Sequence, residues 1–242
     1  MTLLGRLTDT CGLAVLVDPA RTTERDAHEL GARAAGEGVA VLLIGTSFGQ
    51  GADASATVRA LRTAAPDVPL VLFPASAGDL VPGVDGVLML SLVSGRNAQY
   101  LIEEHVRAVP FFDRHPEVES IATAYCLVDG GCVTAVEATS QTRPLPADKP
   151  EFIHAHVSAA ARLGMRATYL DAGSGARRAV GASLVQAARA VSPGPLFVGG
   201  GIRTTDQVRM ARDAGADFVV VGTLLEQSGT RAVSALVDAA HS

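Results

Sequence analysis

Eight short apolar runs, separated by stretches with a helical pattern, constrain the fold of this chain more than any other feature. The runs are Leu13–Val17, Val39–Ile44, Leu70–Phe73, Gly86–Leu90, Ile121–Val128, Ala167–Leu170, Leu196–Gly199 and Phe218–Val221. They are continuous and do not alternate with polar residues, as expected of parallel strands covered on both faces. Helices are expected from Thr22 or Thr23 to about Gly36, near Asp53–Ala64, from about Ala98 to Arg107 and from Pro150 to Leu163. Others are expected over Arg178–Val191, from Thr204 or Thr205 to Ala214, and through about Ala240. Pro150 suits a first helical turn, where its missing N–H costs nothing.

Eight strands alternating with helices form either a closed barrel or a long doubly wound sheet. The length of 242 residues suits one (β/α)8 barrel, which takes about 250. Pro74–Asp85, between the third and fourth runs, is too short and too rich in Gly and Pro for a full helix, so a barrel would be irregular there. No repeat, charge run or linker divides the chain, and residues 1–242 read as one domain.

Composition excludes several functions. A net charge of −5 offers no basic field for nucleic acid. The three cysteines, Cys11, Cys126 and Cys132, lack the paired spacing of a disulfide framework and suit a reducing compartment. No run approaches the ~18 apolar residues of a membrane span, and Met1–Arg6 does not open a signal peptide, so a cytoplasmic protein without an integral membrane segment is expected.

Chemistry concentrates where the late strands end. Tyr169-Leu170-Asp171-Ala172-Gly173-Ser174-Gly175-Ala176 follows the sixth run, Gly199-Gly200-Gly201 the seventh, and Gly222-Thr223 the eighth. Glycines let a phosphate approach the main chain, and N–H groups at helix starts point at it. A single glycine cluster is as often a plain turn, but barrels commonly bind phosphate after strands seven and eight, and three consecutive clusters favour that use. Asp171 lies inside the first segment, where a carboxylate can accept a proton from a substrate hydroxyl or cap the next helix. Asp18 and Ser47 end the first and second runs, which are neighbours in a barrel. Capping is the commoner use of both residue types, and holding Mg²⁺ beside substrate phosphates is the other. His154 and His156 are two apart on an expected helix and diverge, and no nucleophile elbow or P-loop is present. Lys149, the lone lysine, precedes a helix and so does not suit a Schiff base.

These residues resemble the geranylgeranylglyceryl phosphate synthase family, which includes bacterial heptaprenylglyceryl phosphate synthases. The resemblance rests on Leu16-Val17-Asp18-Pro19, Ile44–Ser47, Phe73-Pro74, Leu90–Asn97 with Tyr100-Leu101-Ile102, Pro144–Pro150, Tyr169–Ala176, Val198–Arg203 and Val221–Thr223. It implies an α/β fold, a single (β/α)8 TIM-like barrel with its third helix lacking or modified. It implies a Mg²⁺-dependent prenyltransferase that joins a geranylgeranyl-type prenyl diphosphate to sn-glycerol 1-phosphate, working as a homo-oligomer. By the family pattern Asp18 and Ser47 would hold Mg²⁺ with the donor. Tyr169, Leu170, Asp171, Ala172, Gly173, Ser174, Gly175, Gly200, Gly201, Gly222 and Thr223 would hold the acceptor phosphate, and Asp171 would assist removal of the proton. Four departures lie on the donor side: Ala20-Arg21 after Asp-Pro, Gly45-Thr46-Ser47, Phe73-Pro74-Ala75 and Asn97-Ala98-Gln99-Tyr100. A relative acting on 3-phosphoglycerate or another phosphorylated three-carbon acceptor, a phosphate-binding isomerase or aldolase barrel, and a non-catalytic phosphate binder are the other readings.

Overall fold

The computed structural model describes residues 1–45, 54–222 and 233–241. Eight parallel strands close into a barrel in chain order, β1 (Gly12–Val17), β2 (Val41–Ile44), β3 (Leu70–Leu72), β4 (Gly86–Leu92), β5 (Glu119–Leu127), β6 (Ala167–Asp171), β7 (Leu196–Gly199) and β8 (Phe218–Val221). Closure comes from β8 lying along β1, with Gly12 opposite Phe218 and Val15 opposite Val221. Between the strands run α2 (Glu24–Glu37), α3 (Ser55–Ala64), α4 (Glu104–Arg114), α6 (Pro150–Arg162), α7 (Ala182–Arg189), α8 (Thr205–Asp213) and α9 (Val233–His241). A short α1 (Leu3–Thr8) precedes β1, and α5 (Ala135–Ser140) follows β5.

Caps set the helix starts. The Thr23 hydroxyl accepts from the Asp26 N–H at 3.2 Å, and Thr204 and Gln207 form a reciprocal capping box. The helix expected over Arg178–Val191 begins later, at Ala182, because the Arg177 and Arg178 N–H groups donate to Gly130 O at 2.9 and 3.0 Å and are drawn into a loop. The helix expected to end at Arg107 continues through Pro110 to Arg114, after a π-helical turn at Gln99–Glu103. No full helix follows β3: a short 3₁₀ turn, Ala77–Asp79, stands in its place.

Alternate residues of each strand face opposite cores. Leu170 and Val198 pack outward against the helices, whereas Tyr169, Phe197 and Phe218 point into the barrel. The interior is filled by rings: Phe197 stacks on Phe218 at 4.7 Å and on Tyr169 at 6.0 Å, and Tyr169 meets Phe73 at 4.7 Å and Tyr125 at 5.6 Å. At the N-terminal end, α1 plugs the barrel with Leu3, Leu4 and Leu7. Glu119, at the start of β5, receives the Leu3 N–H at 2.5 Å and so anchors the plug. Cys11, Cys126 and Cys132 are free thiols, and burial pushes Cys126 up to about 12.

Phe197 is fully buried among these rings. Phe197→Ala is expected to lower stability by about 3–5 kcal/mol, read from the urea midpoint at unchanged slope. A loss below about 1 kcal/mol would contradict the packing described.

Candidate active site at the C-terminal mouth of the barrel

Asp171 is the last residue of β6 and shares the inward phase of Ala167 and Tyr169, so its carboxylate rises into the mouth of the barrel. It is only 8% exposed. Its Oδ1 accepts the Gly173 N–H at 2.7 Å and its Oδ2 accepts the Tyr125 hydroxyl at 2.5 Å. Burial pushes this carboxyl above its ordinary value, and the bonds from Tyr125 and Gly173 pull the other way. Burial and then the Asp171 charge hold the Tyr125 phenol well above its own usual range.

The glycine segments wrap this carboxylate. Gly200 has φ +79°, and a Cβ there would stand 2.5 Å from Asp171 Oδ1 and 2.6 Å from the Gly173 nitrogen. Only glycine fits both the conformation and the space. Gly173, at φ +88°, leaves no room for a Cβ beside Thr134, which caps α5. Gly175 faces open space. Among the described residues the backbone N–H groups of Ser174, Gly175, Gly200 and Gly201 have no protein acceptor. Unpaired main-chain donors around an exposed glycine turn are the kind of groups that an anion can accept from.

Other expected site residues fall differently. Leu170 turns its side chain into the outer core, and Tyr169 is packed in the ring stack, so both can serve a phosphate only through the main chain. Ala172 is buried, and Gly222 follows β8 at the same rim. Thr223 and Ser47 lie outside the described residues. Asp18, past the end of β1, is half-buried. Its Oδ1 accepts the Ala20 N–H at 2.9 Å, and its Oδ2 is 3.6 Å from Arg21 Nε. Each oxygen keeps a lone pair, so the carboxylate fits a hard cation that brings most of its shell as water and phosphate oxygens. Among the described residues no cluster of three His, Cys, Asp or Glu side chains could hold a metal alone.

The missing helix after β3 opens a cleft of about 240 Å³. Phe73, Leu80, Met89, Leu90, Ala108 and Val136 give it apolar walls, and Tyr125 and Asp171 line it too. Glu104 braces the opening, accepting the Ala77 N–H at 2.9 Å and a Gln99 side-chain N–H at 3.1 Å. An apolar cleft, a buried carboxylate and glycine turns with unpaired main-chain N–H groups thus share one mouth. Neither Tyr125 nor Glu104 stands in a motif that marks it as a site residue. Tyr125 carries a detectable signal only in its phase, two residues before the end of β5.

A match to the model of the PcrB family spans residues 11–240. The chain belongs to the PcrB family. Relatives of this PcrB-family chain include geranylgeranylglyceryl phosphate synthases of Chitinophaga pinensis, 35% identical over 94% of this chain and 89% of that protein, and of Methanothrix thermoacetophila, 38% identical over 97% and 92%. Among solved structures, the chain is similar to (S)-3-O-geranylgeranylglyceryl phosphate synthase from Thermoplasma acidophilum in complex with its substrate sn-glycerol-1-phosphate. The TM-score is 0.89 and the identity 26%, covering 99% of this chain and 98% of that one.

Burial of Asp171 makes the stability of this chain depend on pH. A carboxyl whose folded pKa is raised binds its proton more tightly in the folded state, so stability falls as pH rises from the unfolded value, about 3.9, through the folded one. Comparing Asp171→Asn with the parent by thermal melts, the variant's relative stability should improve from about pH 4 to neutrality. A difference that does not change with pH would refute the burial cost.

Proposed function

We propose that this protein forms an ether between an allylic prenyl diphosphate of geranylgeranyl type and the free hydroxyl of sn-glycerol 1-phosphate. Its family membership makes the chain a prenyltransferase, with glycerol phosphate as the acceptor class. The observation that carries the finer reading is the place of Asp171, between the apolar cleft and the unpaired N–H groups of the glycine segments.

The phosphate of the acceptor would rest on Ser174, Gly175, Gly200 and Gly201, with Gly222 at the adjoining strand end; the family pattern adds Thr223. The prenyl chain would occupy the cleft between the 3₁₀ turn and α4, shielded from water by its apolar walls. The bond from C1 to the diphosphate breaks, and its electron pair leaves with the diphosphate. The acceptor oxygen bonds to C1, and its proton passes to Asp171. Mg²⁺ would be held by Asp18 with Ser47, and when bound it neutralises the diphosphate leaving group. The Arg21 guanidinium beside Asp18 adds positive charge on the same side. Ile102, Val106 and Val109 are exposed at helical spacing, which supports assembly as a homo-oligomer. Among the described residues no helix is long and apolar enough to cross a membrane.

Radiolabelled prenyl diphosphates of several lengths, each offered glycerol 1-phosphate, glycerol 3-phosphate or 3-phosphoglycerate, test the assignment. A C20 ether of glycerol 1-phosphate is the expected product. Product only from 3-phosphoglycerate would change the acceptor, and none from any pair would favour an isomerase, an aldolase or a non-catalytic binder. Asp171→Ala should lower kcat roughly 10²- to 10⁴-fold with the fold retained. For the metal, Asp18→Ala should remove the gain that Mg²⁺ gives to prenyl diphosphate binding in a calorimeter. An unchanged gain would refute that role.

A further inference from the structure

The Tyr125 hydroxyl is the one side-chain donor to the Asp171 carboxylate among the described residues, and it reaches Oδ2 from the neighbouring strand. In register, Tyr125 stands opposite Tyr169 and Leu127 opposite Asp171, so the hydroxyl spans the diagonal between β5 and β6. The Tyr125 ring is itself fixed by Phe73 at 5.9 Å and Tyr169 at 5.6 Å. Its phenol therefore cannot turn away from the carboxylate without disturbing the ring stack below. With the Gly173 N–H on Oδ1, the carboxylate is gripped at both oxygens. Each oxygen keeps one lone pair, and these are left for an incoming hydroxyl.

We propose that Tyr125 is a positioning residue for the transfer, its hydroxyl holding Asp171 in the rotamer and the ionised form that accept the acceptor's proton. This rests on the role given to Asp171 above. A phenol donating to a carboxylate favours the ionised form, and in a buried site such a charge-assisted bond is strong. Without it, burial acts on Asp171 opposed by the Gly173 N–H alone. Tyr169, the other phenol of the stack near this carboxylate, is held well above its ordinary range by burial and then by the Asp171 charge. Across the cleft stand Glu104 and His105 on α4 and Asp79 on the 3₁₀ turn; Glu104 is bound to Ala77 and Gln99, His105 to Leu90 O, and Asp79 to Ser76.

Tyr125→Phe keeps the ring and deletes only the hydroxyl. The variant should lose roughly 10- to 100-fold in kcat, with the acid limb of its pH–rate profile displaced about 1–2 units to higher pH. KM for glycerol 1-phosphate should change little, because the phosphate is held by the main chain. The same substitution in an Asp171→Asn background should cost nothing further in residual kcat, since it acts only through that carboxylate. An unshifted acid limb, or an equal loss in both backgrounds, would overturn the proposal. A parent enzyme with no transfer activity would instead sink the reading of the whole site.

Discussion

Closure of β8 onto β1 is the constraint on which the rest depends. A parallel strand of four residues has a full ladder only if both edges are paired, and β7, β8 and β2 are no longer than that. Once the sheet closes, every strand has an inside, and alternate residues are committed to it. The ring stack from Phe73 to Phe218 fills that space, and α1 closes its lower end. On β5 the inward polar side chains Glu119 and Thr123 are taken up by the α1 plug and by the Ile121 carbonyl, whereas Asp171, at the end of β6, stands at the upper mouth.

The mouth joins two environments of opposite character. On one side the glycine turns expose main-chain donors, and the φ values of Gly173, Gly175, Gly200 and Gly201 all lie in the region that favours glycine. On the other, the replaced helix leaves apolar walls. The carboxylate between them is buried enough to resist ionisation and bonded enough to permit it. That balance is set by one hydroxyl and one amide, so the reactivity of the site depends on the packing of a tyrosine whose ring belongs to the core.

The barrel and its irregularity were legible because both follow from composition over several residues. Continuous apolar runs marked the strands, and Gly and Pro between Pro74 and Asp85 ruled out a helix. Short elements were not legible: α1 and α5 span less than two turns, too few for a helical period to register. Pro110 marks a helix end in the sequence, yet the helix runs through it to Arg114. Leu170 sat inside a plausible phosphate segment, yet its side chain belongs to the opposite face from its neighbours Tyr169 and Asp171.

By itself the sequence determined the order of strands and helices, the glycines that the mouth needs and the carboxylate among them, since each is a local property of residue type and spacing. Only the tertiary structure decided that Tyr125 meets Asp171 and that the gap after β3 opens onto that pair. Both depend on the register between strands far apart in the chain, Tyr125 with Tyr169 and Leu72 with Val87. Register is fixed by how a closed barrel packs its interior, and no single segment carries that information.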